Sequence, residues 1–559
     1  MNQILNKSKK IFLSEQTSIL SAANVIMVMT FSSLILGLLQ KRVILTFFDQ
    51  DQFSLFSAAF RLPDLVFSVL VYGMFASAFI PIFTKLLRRG NKEAWETASR
   101  TVNICLISFA FFAILIGIFA DQFYSLIAPG YTGAEIHLIA NLARVMFFAQ
   151  GIFVISYVLT SVLESLRRFL IPALAPVFYN LGLIIGTVLL HKQLGLMAPA
   201  VGVVLGALTH FLIQLPLAYQ LGFRFGKNIK PNDGVKDIAK LAAPRLVDLG
   251  FQQIADTVVL YFASLISVAS YGYFTLANSL QAAPVRLFGT SLAKAALPTL
   301  TRENENLPKF RDILFRTIYQ MFFLVAPVVT LLIVLRIPIV RILFGTYKFD
   351  WDATVETGMV LTGFSVGIVF QTFVPMLARG FYALHDTQTP VIISVIGDSF
   401  VIVSSIFLVS SLHMSSWALG FAYSIGAFIE TIILLIVLKR KIKNFSLVKV
   451  ILPLSKTFFA CIVSGGVMYY LLKFFDKWDP IKIARPIAFQ TLVIDTRYTL
   501  NLIVLTGLVA IIGMVIYIVL SFVLKSQELN DIWMTIWSKR GFILRTPTEP
   551  AEDLENGVS

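Results

Sequence analysis

The sequence predicts an all-α integral membrane protein with about 14 transmembrane helices, set out as two pseudo-symmetric six-helix lobes followed by two extra C-terminal helices. Three observations carry that expectation. Hydrophobic residues make up 57% of the chain and charged residues 14%, and the mean hydropathy is +0.81, more apolar surface than a soluble fold can bury. Apolar runs of about 20 residues, enough to cross ~30 Å of hydrocarbon as helix, recur along the chain, whereas the short alternating strands of a barrel do not. The chain also repeats itself. SAFIPIFTK (residues 77–85) returns as KAALPTLTR (residues 294–302), with Ala78 on Ala295, Pro81 on Pro298, Thr84 on Thr301, Lys85 answered by Arg302 and Gly73 echoed by Gly289. FAQGIFVISYV from Phe148 is matched by FSVGIVFQTFV from Phe364, followed by Pro172 and Pro390 at comparable distances. Paired halves with helix-interrupting Gly and Pro at corresponding places are an architecture of secondary transporters, with the working site between the halves.

The elements follow in order. An N-lobe, residues 1–221, holds spans near 21–40, 55–84, 101–120, 138–161, 169–190 and 196–220. The first 20 residues carry Lys7, Lys9 and Lys10, but the apolar run behind them is span-length and has no small-residue cleavage site, so it reads as the first span and not as a removed signal. Residues 222–240 include FRFGKNIKPNDGVKDIAK, whose Lys, Asn, Pro and Gly read as a cytoplasmic surface linker. A C-lobe, residues 241–444, holds spans near 243–268, 270–298, 313–335, 355–378, 388–411 and 416–438. Residues 445–525 add two spans near 451–472 and 499–524, separated by a long outside segment, 473–497. Residues 526–559 begin with a short interfacial helix that places Ile532, Trp533, Ile536 and Trp537 on one side, and end in a polar, disordered tail.

Charge sets the orientation. Most of the 46 Lys and Arg fall in alternate connections, and that bias puts both termini in the cytoplasm. The net charge of +15 is then a topology signal, and no nucleic-acid partner is expected. Clusters such as Lys439, Arg440, Lys441 and Lys443 would rest against anionic membrane lipids.

Catalytic constellations are sparse. Cys105 and Cys461 lie in apolar spans as inert thiols, and the five histidines show no metal-ligand spacing. The sequence has no phosphate-cradling Gly-rich loop and no large soluble domain to hydrolyse ATP. We therefore expect no enzyme and no cofactor, with energy drawn from an ion gradient, sodium included, or from the membrane potential.

Ionisable residues inside spans cost at least a few kcal/mol unless they face water or a partner, which singles out Arg61, Asp64, Arg144, Arg245, Asp248, Asp256, Arg286, Lys294, Asp398 and Glu430. Arg61, Arg144 and Lys294 lie near enough to span ends to snorkel. Arg245 and Asp248, three apart on one face, can neutralise each other. Arg286 lies well inside the eighth span, with Asp256 the nearest acid that itself lies in a span, and is expected to face a polar cavity. Asp248 and Asp398 form a candidate site for a hard cation; the competing reading pairs Asp248 with Arg245 and leaves Asp398 alone and protonated.

Several stretches carry a family resemblance that covers nearly all of the chain. AAFRLPDLVFSVLVYGMFASAFIPIF, VLESLRRFLIPALAPVFYNLG, LAAPRLVDLGFQQI and ARGFYALHDTQTPV are similar to stretches typical of the MurJ (MviN) lipid II flippases, within the multidrug, oligosaccharidyl-lipid and polysaccharide exporter superfamily. The last is the most specific. It falls between the tenth and eleventh spans, where Arg379, Asp386 and Pro390 would shape a tight connection. The resemblance implies a fourteen-helix flippase of the bacterial cytoplasmic membrane, acting as a monomer in peptidoglycan synthesis. It would move lipid II, an undecaprenyl-pyrophosphate-linked muropeptide, by alternating access. A cationic cavity would hold the pyrophosphate while the polyprenyl tail trails into lipid along the last two spans.

The sequence departs from that pattern at the charges. Gln40 and Lys41 stand where the family usually has Arg-Asp, Ser54 where an acidic residue is usual, Phe67 and Ser68 in place of paired arginines, and Ser279 in place of the eighth-span arginine. Seven residues are nearly two helical turns, so Arg61 shares a face with Ser68 and Arg286 with Ser279, each about 10 Å along its helix. Lys41, Arg42, Arg61 and Arg286 are therefore the candidate substrate-binding residues. The alternatives are a related exporter of polysaccharide-lipids or drugs, which the membrane arginines disfavour for cationic drugs, and a transport-dead scaffold, which the missing arginines favour.

Overall fold

The computed structural model describes residues 19–72, 78–442, 447–476, 494–496 and 498–531. Among them the chain is helical, with only an isolated bridge between Asp476 and Ile494. The N-lobe helices are α1 (Ile19–Phe47), α2 (Gln50–Ala59, Arg61–Phe67 and Ile80–Arg89), α3 (Asn91–Ile118), α4 (Gly133–Ser165), α5 (Leu170–Leu194) and α6 (Met197–Gln220). The C-lobe helices are α7 (Asp233–Ile266), α8 (Ser270–Pro284 and Ser291–Arg302), α9 (Leu307–Val334), α10 (Trp351–Ala383), α11 (Gln388–Ser411) and α12 (Trp417–Ile442). Two more follow, α13 (Leu447–Phe475) and α14 (Thr499–Val523). Among the described residues, 13 helices are long and apolar enough to cross a membrane. The remaining expected span is α8, whose helix is broken midway by a π-helical run, Val285–Thr290.

Local chemistry sets the helix starts. Asp49 and Gln52 form a capping box ahead of α2, Thr132 and Glu135 one ahead of α4, and the Asp350 side chain accepts from the Ala353 N–H at 2.8 Å ahead of α10. The repeat seen in the sequence reappears as geometry. A shift of 217 residues carries the π-helical run Ser68–Tyr72 of α2 onto that of α8, and α4 and α10 are both 33 residues long. Such π segments widen a helix and free a backbone carbonyl, so both lobes carry a break where a working site would lie.

Close packing in each lobe relies on small residues, since hydrocarbon supplies no hydrophobic drive between helices. At Gly186 of α5 a Cβ would sit 2.4 Å from the Gly202 Cα of α6, so the two backbones touch only because neither position carries a side chain. Beyond the lobes, α13 and α14 pair with each other through Ser464 Oγ, which donates to the Gly513 carbonyl at 2.7 Å. They dock on α9, where Tyr517 donates to the Phe323 carbonyl at 2.8 Å.

The linker expectation needs correction. Only its first half is a connector: α7 starts at Asp233, because Asn232 caps it by accepting from the Val235 N–H at 3.1 Å. Asn232 also donates to Thr97 at 2.7 Å, and Gly234 packs against Leu86 and Thr97. Polar turns of α3 and α7 extend past the apolar windows that hydropathy detects, which is why both helices begin about ten residues earlier than expected. The expected interfacial face at Ile532, Trp533, Ile536 and Trp537 lies outside the described residues, as does most of 473–497.

The ARGFYALHDTQTPV stretch makes the tight α10–α11 turn expected of it. Asp386 accepts from the Thr389 N–H at 3.0 Å and from its hydroxyl at 2.6 Å, and is paired with Lys441 at the end of α12. Partial burial works to raise this carboxyl, but the Lys441 and Thr389 bonds outweigh it and hold the group down at about 2, against a usual ~3.9. A depressed carboxylate contributes stability above its unfolded value and loses it as pH falls through the folded one. Wild type should therefore melt above Asp386→Asn by a constant margin down to about pH 4, with the gap closing toward pH 2. Thermal unfolding in detergent across that range checks it; a gap that persists at pH 2 would rule out the carboxylate as the cause.

Candidate functional site

The two lobes touch at one end of the bundle, the outer end on the orientation expected from charge. Four contacts close it. Thr346 donates to the Leu45 carbonyl at 2.5 Å, the Gly272 N–H donates to Ser54 Oγ at 3.0 Å, the Gly130 N–H donates to Ser264 Oγ at 3.2 Å, and Gln50 Nε2 reaches Asp350 at 3.4 Å. Ser54 is fully buried, and a Cβ at Gly272 would lie 3.1 Å from its own Cβ.

Deeper in, Lys41 of α1 crosses the lobe junction to α8, where its ammonium donates to Ser279 Oγ and, at 3.3 Å, to the Thr275 carbonyl. Ser279 is the position at which the resembled family carries arginine. The lysine of one lobe thus delivers its charge to the place the other lobe has left neutral. Arg286 is exposed in the π-helical run of α8 and lies close enough to Lys41 for the two charges to act on each other. No ion pair to Arg286 occurs among the described residues, so its charge remains available. Arg42, by contrast, turns its guanidinium onto the Ile342 and Leu343 carbonyls at the end of the short helix Arg336–Phe344, the latter at 3.3 Å. That caps a helix C-terminus, where positive charge is favourable.

Arg61 does not snorkel. It is buried at the junction, 7% exposed, with Nη1 3.3 Å from Asp256 of α7. The Tyr423 hydroxyl of α12 donates to the same carboxylate, and Gln150 of α4 donates to Asp64 at 2.6 Å. Arg144 belongs to the outer surface, bonded to Asp121 at 2.6 Å and to the Gly117 carbonyl at 2.9 Å. Near the opposite end, Lys294 of α8 and Glu164 of α4 approach closely enough for their charges to interact across the lobes.

The acids of the C-lobe cluster without forming a metal cage. Asp248 pairs with Arg245, as the competing reading had it, and also accepts from the Ser394 hydroxyl. Glu430 packs against Gly397, beside Asp398, and Asp248, Asp398 and Glu430 are near enough to repel one another. Among the described residues no three His, Cys, Asp or Glu converge on a metal position. A cation at Asp248 would compete with a guanidinium already in place, so these residues do not fit a resident ion as they stand. Sequence reasoning named Asp256 but did not pair it with Arg61; Tyr423 and Gln150 gave no signal at all, since neither is ionised in an apolar span.

The family model described as "Lipid II flippase MurJ" matches residues 43–489. The probable lipid II flippase MurJ of Borreliella burgdorferi is 23% identical over 461 residues, covering 81% of this chain and 90% of that one. The corresponding protein of Buchnera aphidicola subsp. Acyrthosiphon pisum is 27% identical over 371 residues, covering 65% and 73%. Among solved structures, a lipid II flippase MurJ in an inward closed conformation superposes with a TM-score of 0.72 at 20% identity, covering 89% of this chain and 98% of that one. An inward-facing multidrug resistance transporter of the MATE family gives 0.63 at 15% identity over 73% and 94%. These likenesses establish the two-lobed fold.

Proposed function

Because the chain belongs to the lipid II flippase MurJ family, we propose that it carries lipid II across the bacterial inner membrane for peptidoglycan synthesis, by alternating access between its two lobes. It is a multi-pass transporter. The observation that carries the reading is the family match across residues 43–489, and the Lys41–Ser279 bond beside Arg286 supports a cationic seat for the pyrophosphate at the lobe junction. A doubly charged headgroup cannot enter hydrocarbon without such a seat, whereas its polyprenyl tail never has to leave it. We propose further that the protein works as a monomer among membrane lipids with both termini in the cytoplasm. Contacts closing the outer end support a resting state that receives substrate from the inner side. Depletion in cells should trap lipid II on the cytoplasmic leaflet; an unchanged distribution between leaflets would overturn the proposal.

We propose that any cation coupling runs through Asp398 and not through Asp248, whose carboxylate holds Arg245. Asp398 is its testable centre, because Asp248 is already engaged by Arg245 and Ser394. Asp398→Asn should remove any sodium dependence of transport while leaving substrate binding within about twofold, because Asp398 stands on α11 and the cationic pair on α1 and α8. Transport assayed in vesicles with and without a sodium gradient decides this, and unchanged dependence in the variant would exclude Asp398.

A further inference from the structure

Arg61 has an acid of its own three residues along the helix, Asp64, and a pair at that spacing is the usual local arrangement. The structure makes a different choice. Asp64 is held within the N-lobe by Gln150 at 2.6 Å, while Arg61 reaches 3.3 Å across the lobe junction to Asp256. Asp256 is in turn fixed by the Tyr423 hydroxyl from α12, so α2, α7 and α12 meet at one carboxylate. The guanidinium is not saturated: Nε and Nη2 are buried with no protein acceptor in good hydrogen-bond geometry, although the Tyr271 hydroxyl lies beside the group. Unfilled donors on a buried cation are costly, and they are tolerated where a second acceptor arrives in another state.

We propose that Asp256 is the positioning residue for Arg61. Held by Tyr423, it keeps the guanidinium at the junction while the outer end is shut, and it gives Arg61 up to the anionic headgroup when the lobes part. Separation of α2 from α7 leaves Asp256 with Tyr423 and frees a planar fork suited to a bidentate phosphate contact. Asp256 and the headgroup then compete for one cation, and that competition ties anion binding to lobe position. The assignment rests on the flippase reading only for the identity of the anion.

The test uses the full chain in nanodiscs, with Cys105 and Cys461 replaced by alanine and spin labels at Gln122 and Tyr347, exposed residues at the outer ends of the two lobes. Asp256→Asn should shift the label distances to longer values and Tyr423→Phe should do so to a smaller extent. The exchange Arg61→Asp with Asp256→Arg should restore the original distribution. Undecaprenyl pyrophosphate should bind Asp256→Asn about tenfold more tightly than wild type, a gain of one charge-assisted contact, and Arg61→Ala should erase the gain. Unchanged distances and unchanged affinity in Asp256→Asn and Tyr423→Phe would overturn the assignment, as would an exchange variant that melts like wild type yet stays shifted. Should the distances shift as expected while wild type binds no pyrophosphate lipid, Asp256 keeps its role between the lobes and the substrate reading falls.

Discussion

Arg286→Ala should abolish complementation of a depleted strain while leaving the protein in the membrane at wild-type abundance. The two halves of that expectation come from the same observation. Arg286 is exposed in the π-helical run of α8 and has no ion-pair partner among the described residues, so truncation strands no buried carboxylate and removes no core packing. Surface changes of that kind usually shift stability by less than about 0.5 kcal/mol. Its charge nevertheless adds to that of Lys41 at the lobe junction, where a pyrophosphate would be held. Loss of one charge-assisted contact is expected to lower transport on the order of 10- to 100-fold. Arg286→Lys should keep part of the activity, since a point charge survives while the planar fork is lost. Full activity in the alanine variant would remove Arg286 from the site and leave Lys41 as the cation to explain.

How much of this was legible in the sequence depends on the length scale of the interaction. Spans were legible because hydrophobic run length is local: α11 was expected near 388–411 and is Gln388–Ser411, and α14 was expected near 499–524 and is Thr499–Val523. The internal repeat was legible too: the offset of 217 residues that relates SAFIPIFTK to KAALPTLTR also relates the π-helical runs Ser68–Tyr72 and Val285–Thr290. Amphipathic extensions were not, because the first turns of α3 and α7 are polar, that of α7 being capped by Asn232, which also donates to Thr97 of α3. The site was half legible. Burial cost flagged Arg61, Asp256, Asp248 and Asp398 as residues that need a reason, but it could not say with whom each pairs. Nearest-neighbour reasoning succeeded for Arg245 with Asp248, three apart on one helix, and failed for Arg61, whose adjacent acid is taken by Gln150. Arg42 shows the opposite failure: its sequence context suggested a ligand, while the fold spends it on the end of a short helix.

Lys41→Ala should lower transport by about tenfold or more, and Ser279→Arg placed in the same chain should restore it. The prediction follows from where the ammonium ends. Lys41 donates to Ser279 Oγ and to the Thr275 carbonyl, so its charge occupies the region an arginine at 279 would fill in the resembled family. Removing it leaves no orphaned group, because the Ser279 hydroxyl already donates to the Thr275 carbonyl at 2.6 Å. The alanine variant is therefore expected to fold, and its defect to be one of charge. Ser279→Arg with Lys41 retained would set two cations in one half-buried place, and like charges there cost stability and lower the yield of folded protein. Each single change thus harms for an opposite reason, and the pair should recover what either loses, a coupling that a double-mutant cycle on transport and on thermal unfolding measures directly. If the double variant transports no better than Lys41→Ala alone, the lysine is a structural tie between α1 and α8, and the phosphate must be held elsewhere.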